Sequence, residues 1–257
     1  MSLIAQTIHL SLGRKEILHG ADFRAEAGQF TAIVGPNGSG KTTLMRALTG
    51  ELPCRGEVTL NGHKIAKTPP ETLARIRGVL PQATALSFPF TVAEVVRLGS
   101  QARGPEADTL ILRALERVDL GGFAGRYYQQ LSGGEQQRVQ LARVLVQVWQ
   151  PLGEEGPRWL FLDEPVSSLD IAHQLTVMRL AADYARRGGG VVAVMHDLNL
   201  TAMFADRIAL VTAGLVVAQG TPAEVLTNQR LSEAYGCALA VNTVPAEGIW
   251  ILPHAAA

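Results

Sequence analysis

The chain has 257 residues, is 47% hydrophobic and carries no formal net charge at pH 7. That balance excludes a disordered chain and gives no basic excess of the kind a general nucleic-acid binder needs. Its two widely separated cysteines, Cys54 and Cys237, are too few for a disulfide framework or a thiolate metal centre and read as reduced thiols.

The segment Met1 to Leu12 mixes polar and apolar residues and lacks the apolar core of a signal peptide. The longest apolar runs have strand length, short of the roughly 20 residues a spanning helix needs. The chain is therefore expected to work at a membrane only by docking onto something that crosses it. Its length suits one large α/β domain, alone or with an inserted subdomain.

Phe30 to Val34 reads as a buried strand ending at Gly35. Gly35-Pro36-Asn37-Gly38-Ser39-Gly40-Lys41-Thr42 then matches G-x-x-x-x-G-K-[ST] in full, and a helical run follows from Thr43 to Leu48, closed by Gly50. The glycines let the backbone wrap and turn its N–H groups inward, so the loop and the helix start form a cradle for phosphate. Lys41 is placed to reach the β- and γ-phosphates, and the Thr42 hydroxyl to reach Mg²⁺.

From about Thr84 to Gln150 strand signals fade and helical ones dominate, as in Ala107 to Val118 and Gly134 to Trp149, which predicts a helical insertion. Within it, Ser132 and Glu135 form an S-x-x-E box at a helix start, and Val139, Ala142, Val146 and Trp149 give that helix one apolar face. An ordinary capped helix accounts for Ser132 and Glu135 but gives no reason for the side-chain-free pair Gly133-Gly134. The pair leaves first-turn N–H groups open to a second anion.

Pro151 to Pro157 reads as a polar loop leading back to the sheet. Trp159 to Leu162 is a second buried strand, capped by Asp163 and Glu164. Asp163 suits a Mg²⁺ shell, and Glu164 suits orienting and deprotonating water. Val191 to Met195 is a third strand, ending at His196. Apolar runs alternating with helical patterns predict a mostly parallel sheet, with ligands just beyond its carboxyl edge. Arg207 to Val211 and Leu215 to Ala218 flank Thr212-Ala213-Gly214 as a hairpin. Thr221-Pro222-Ala223-Glu224 then opens a short helix through a capping box.

The series formed by the phosphate loop, Gln82, Leu131-Ser132-Gly133-Gly134-Glu135, the Asp163-Glu164 strand, Ser168-Leu169-Asp170 and His196 resembles the ABC ATPases from Leu3 to about Val241. The resemblance implies an α/β fold: a P-loop NTPase (RecA-like) core with an antiparallel β subdomain and an inserted α-helical subdomain at about 84–157. It implies one nucleotide-binding domain over 2–241 and a tail over 242–257. It implies a head-to-tail homodimer sandwiching two ATP molecules with Mg²⁺. One copy's loop from Gly35 to Thr43 would face the partner's Ser132, Gly133 and Gly134, and Asp170 would be counted among the nucleotide contacts. In the same scheme Ser168 to Asp170 couples the two sites. Thr42, Gln82 and Asp163 serve the metal, Glu164 and His196 the hydrolysis, and Gln82 also reports occupancy.

One departure from the family is the early strand. Ile8 to Arg14 has no aromatic residue to stack on adenine, leaving Leu12 or His9 to cover the base. The segment Phe88-Pro89-Phe90-Thr91-Val92, read with Ala85 to Ser87 as facing a membrane subunit, resembles importers of metal chelates. Gln136 to Leu145, Ala172-His173-Gln174 and His196 to Leu200 resemble the haem-import subfamily in particular. This resemblance implies two transmembrane permease subunits as partners. A periplasmic haem-binding protein would be an indirect partner, and the chain would sit on the cytoplasmic face of the inner membrane. Siderophore or cobalamin import is the nearest alternative. Soluble ABC ATPases acting on DNA or ribosomes fit less well, since residues 50–130 leave no room for a long coiled coil and one cassette is present. His254 in the tail reads as incidental.

Overall fold

The structure, a computed structural model, describes residues 1–83, 86, 88–100, 104–249 and 251. Thr84, Ala85 and Ser87, at the head of the expected helical insertion, and His254 in the tail lie outside the described residues.

The chain opens with two long antiparallel strands, β1 (Ser2–Leu12) and β2 (Lys15–Glu26), joined at Gly13-Arg14. Strand β3 (Phe30–Val34) runs into the glycine-rich loop, and α1 (Lys41–Leu48) begins at the loop's lysine. Strands β4 (Arg55–Leu60) and β5 (His63–Lys64) follow, then α2 (Pro70–Ile76), opened by its proline, and β6 (Arg77–Leu80). Three helices come next: α3 (Val92–Arg97), started by a Thr91–Glu94 capping box, α4 (Pro105–Arg117) and α5 (Gly133–Gln147). The segment expected as a plain polar loop closes instead into a small hairpin of β7 (Leu152–Gly153) and β8 (Gly156–Pro157). Gly156 takes the turn at φ 107°, and the Arg158 N–H donates to the Pro151 carbonyl at 2.7 Å. The remainder alternates: β9 (Trp159–Asp163), α6 (Ile171–Arg186), β10 (Gly190–Val194), α7 (Leu198–Phe204), β11 (Arg207–Thr212), β12 (Leu215–Gly220), α8 (Pro222–Val225) and α9 (Asn228–Tyr235). The expected hairpin is β11–β12, and the Thr221–Glu224 capping box opens α8.

Two sheets organise these elements. The smaller is antiparallel, in the order β2-β1-β4-β5. The larger runs β12-β11-β3-β10-β9-β6, parallel throughout except for the β11–β12 pair. Strands β3, β9 and β10 are buried at every position, which is why each reads as an unbroken apolar run rather than an alternating one. Alternation along each strand still assigns side chains to layers. Ile33, Phe161 and Val194 face α1 and the small sheet. Phe30, Val34, Leu160, Leu162 and Ala193 share a core with α3, α4, α5 and α6. On α5, Val139, Ala142 and Val146 are buried as its spacing predicts. Trp149, just past its end, lies under the guanidinium groups of Arg113 and Arg117, 5.5 and 5.0 Å from the ring centroid.

The parallel register sets the carboxyl ends of β3, β9 and β10 side by side, with Val194 opposite both Ile33 and Asp163. The three chemistry-bearing segments, at Gly35, Asp163-Glu164 and His196, therefore leave the sheet along one edge. Among the described residues no helix is long and apolar enough to cross a membrane.

The core under this edge is held by Phe161, fully buried and stacked on Trp159 with centroids 6.4 Å apart. Phe161→Ala is expected to cost about 3–5 kcal/mol, the range for removing a fully packed aromatic side chain. Denaturant unfolding of the purified chain measures it.

Candidate functional site

The glycine-rich loop is shaped by close approach. A Cβ on Gly35 would lie 2.0 Å from the Val211 carbonyl oxygen, and its φ of 149° suits glycine, so no other residue fits there. The loop then wraps back on itself. The buried Lys41 ammonium donates to the carbonyls of Gly35 at 2.9 Å and Pro36 at 3.0 Å. Burial pushes this ammonium below its ordinary range, while the carboxylates of Glu164 and Asp163 oppose the shift. Ser39 is buried, and its carbonyl accepts from the Gly214 N–H at 2.9 Å, which ties the loop to the β11–β12 turn.

At the second position of α1, the Thr42 hydroxyl donates to Asp163 Oδ1 at 3.2 Å. Asp163 is buried, and burial raises its carboxyl to about 6. The Thr42 hydroxyl opposes that rise, and the neighbouring Glu164 charge adds to it. Glu164 follows with φ 52°, in the left-handed region that non-glycine residues rarely occupy. Its backbone is held by its N–H donating to Val194 at 3.2 Å and by its carbonyl accepting from Gln137 Nε2 at 2.9 Å. Its carboxylate reaches His196 Nε2 at 2.5 Å.

These groups border a cavity of about 670 Å³, lined by Asn37, Gly38, Gly40, Lys41, Thr42, Thr43, Gln82, Glu164 and His196 together with Lys15 and Ile17. Gly35, Pro36 and Ser39 belong to the loop that supports it, and Asp163 joins it through Thr42. The volume suits a nucleotide-sized ligand. Neither Leu12 nor His9 lines it. Leu12 is exposed, and His9 is bonded to Glu16 at 2.9 Å and borders a separate depression. Lys15 and Ile17, one strand alternation apart on β2, occupy that wall instead. The period of two puts them on one face of β2, but only packing decides that this face lies over the loop.

The site suits a hard divalent cation only in part. Thr42 and Asp163 offer oxygen donors, and burial is what raises the Asp163 carboxyl. Among the described residues no group of three His, Cys, Asp or Glu could hold a metal. A cation here must therefore draw its remaining ligands from a bound phosphate and water, as Mg²⁺ does.

The second helix start lies outside the cavity. Ser132 caps α5: its Oγ accepts from the Glu135 N–H at 3.3 Å and donates to Glu135 Oε2 at 2.8 Å. That hydroxyl, with the Ser132 N–H, holds the Glu135 carboxyl below its usual range. Ser132 and Gly133 are exposed. Gly134 is pressed against the next loop, where a Cβ would meet the Ser168 carbonyl oxygen at 2.9 Å. Asp170 caps α6, accepting from the His173 N–H at 2.9 Å, and this contact holds its carboxyl low. One chain thus brings together the Lys41 loop, Asp163, Glu164, His196 and Gln82. Ser132, Gly133, Gly134 and Asp170 do not line that cavity.

Residues 18–167 match the family described as ABC transporter. The chain is 61% identical over 259 residues to a protein of Ruegeria sp. strain TM1040 named hemin import ATP-binding protein HmuV, covering 100% of this chain and 99% of that one. A protein of the same name from Jannaschia sp. strain CCS1 is 59% identical over 256 residues, covering 99% and 95%. Among solved structures, a dimeric bacterial ABC transporter cassette superposes with a TM-score of 0.73 at 28% identity, covering 86% of this chain and 98% of that one.

The Asp163 carboxyl makes stability pH-dependent. Its folded pKa of about 6 lies above its ordinary 3.8, so the folded chain binds the extra proton and loses stability as pH rises through that window. Asp163→Asn removes the charge and keeps the acceptor. Without nucleotide or metal, the variant is expected to melt above the parent at about pH 8, with the gap narrowing to roughly half at about pH 5 and closing only below about pH 4. Thermal unfolding at both pH values measures it.

Proposed function

The chain belongs to the ABC transporter ATP-binding family, and from that premise we propose that it drives import of haem as one of a pair of ATPase subunits attached to a membrane permease. The observation carrying the reading is the division of the site. The cavity holds a lysine, an Mg²⁺-type oxygen pair, a carboxylate and a histidine, while a second anion-ready helix start faces solvent outside it. Two copies arranged head to tail would bring Ser132, Gly133 and Gly134 of one to the triphosphate held by Lys41 of the other. Each nucleotide then becomes the adhesive between subunits.

ATP would lie with its base against Ile17 and its phosphates over Gly35 to Thr43. Mg²⁺, held by Thr42 and Asp163 with Gln82 near, would neutralise phosphate charge when bound. Lys41 exchanges its two carbonyl partners for phosphate oxygens. Glu164, held by its backbone and bonded to His196, orients the attacking water and accepts its proton. His196 fixes the carboxylate and adds a donor toward the γ-phosphate. Loss of that phosphate removes the link between copies, and the pair loosens.

Coupling to the permease is assigned to the surface after Gln82. Phe88 is 69% exposed and packs edge-on against the half-buried Phe90, with ring centroids 6.2 Å apart. An exposed aromatic pair of this kind suits a short partner helix. The full-length relatives named as hemin import proteins support haem as cargo. The absence of a spanning helix among the described residues fits a peripheral subunit at the cytoplasmic face of the inner membrane.

Glu164→Gln is expected to keep ATP binding, to lower turnover by about 10²–10⁴-fold, and to trap a dimer visible by light scattering. Normal turnover would remove Glu164 from the role of base. In proteoliposomes with the permease, a haem-loaded periplasmic binding protein is expected to stimulate hydrolysis. Stimulation by a siderophore- or cobalamin-loaded protein instead would reassign the cargo.

A further inference from the structure

The carbonyl of Glu164 accepts from three donors. Two belong to its own turn: the Ser167 hydroxyl at 3.2 Å and the Ser167 N–H at 3.4 Å. The third, Gln137 Nε2 at 2.9 Å, comes from α5, 27 residues earlier in the chain. Helix α5 is the one whose first turn is Ser132 to Gly134. Gly134 and Gln137 are three residues apart on it and so share a face. That face lies on the segment from Glu164 to Leu169, since a Cβ on Gly134 would meet both the Ser168 carbonyl and Leu169.

The contact grips the residue in the least relaxed backbone state of the site. Glu164 sits at φ 52°, and such a conformation persists only where its surroundings hold it. Gln137 spends its amide on this one task. Its Nε2 donates to Glu164, while its Oε1 is buried without a hydrogen-bond partner. A buried acceptor left unpaired is costly, which argues that the donor end is what the position needs.

We propose that Gln137 is a positioning residue that makes the Glu164 carboxylate of each copy depend on whether its own α5 helix start is engaged with the other copy's nucleotide. This rests on the head-to-tail reading of the site. When the triphosphate on one copy draws in the Ser132 helix of the other, that helix moves as a unit, and Gln137, five residues along it, moves the Glu164 carbonyl with it. The carboxylate then points at its own water only when the opposite site is filled. Hydrolysis at one site thereby requires nucleotide at both, through a link that never touches a nucleotide itself.

The test uses the chain assembled with its permease, in three forms: parent, Gln137→Met, which keeps the length and removes the donor, and Gln137→Lys, which restores a donor. The Met form is expected to lower kcat about tenfold, the cost of one buried hydrogen bond expressed at the transition state, and to leave the KM for ATP within about twofold. Its Hill slope should fall toward one, and the Lys form should recover most of both rate and slope. Thermal unfolding and ATP binding of each form establish that it folds, and Gln137→Ala replaces the Met form if that fails. Unchanged kcat and slope in the Met form, or a Lys form as impaired as the Met form, would overturn the proposal. The outcome is separable from the assignment of Glu164 as base. If Glu164→Gln lost turnover and trapped an ATP-bound dimer while Gln137→Met kept its rate and Hill slope, the base and the head-to-tail reading would stand and the link alone would fall; normal turnover in Glu164→Gln would remove both the base and the link that works through it.

Discussion

Everything in this molecule is arranged around charges that an apolar sheet cannot solvate. Lys41, Asp163 and Glu164 sit at the carboxyl ends of strands buried at every position, where an unpaired charge costs several kcal/mol. The chain manages this by local pairing: Lys41 turns back onto the Gly35 and Pro36 carbonyls, and Thr42 donates to Asp163. The Asp163 carboxyl remains raised and the Lys41 ammonium depressed. Both displacements run in the direction that a bound phosphate and a divalent cation reverse.

The same economy explains why the site is divided. A single chain places a lysine, the Thr42–Asp163 oxygen pair and a carboxylate around one cavity, yet the Ser132 helix start opens elsewhere. If a partner supplies that second start, the electrostatic gain of capturing a triphosphate becomes work done between subunits. Hydrolysis then withdraws the gain. Rigid packing is what lets such work travel. Helix α5 shares its core with the large sheet, and its first two turns abut the loop that follows Glu164.

How much of this was legible in advance depended on how local each feature is. The strands at Phe30, Trp159 and Val191 appear where their apolar runs lie, the last beginning one residue earlier, at Gly190. The phosphate loop, the Ser132–Glu135 capping box and the β11–β12 hairpin are written in contiguous residues and formed as read. The misses have a common cause. Pro151 to Pro157 reads as a loop because a hairpin of two-residue strands leaves no periodicity. Ile17 faces the cavity because of how the β1–β2 hairpin lies over the loop, which a strand pattern does not reveal, and for the same reason the cavity lining includes neither Leu12 nor His9.

By itself the amino-acid order determined the groups on which the proposed chemistry rests: a glycine-rich turn with a lysine, oxygen donors suited to a hard cation, a carboxylate and a histidine at strand ends, and a serine-capped helix start. Each of these rests on side-chain type and on spacing within a turn or a strand. Tertiary structure alone decided which of those groups meet. The parallel register set Gly35, Asp163 and His196 at one edge. Packing of α5 gave Glu164 a partner in Gln137, and the fold left Ser132 facing outward. The physical reason is that such contacts join residues far apart in the chain, so they depend on the shape of the whole core and leave no trace in any local pattern.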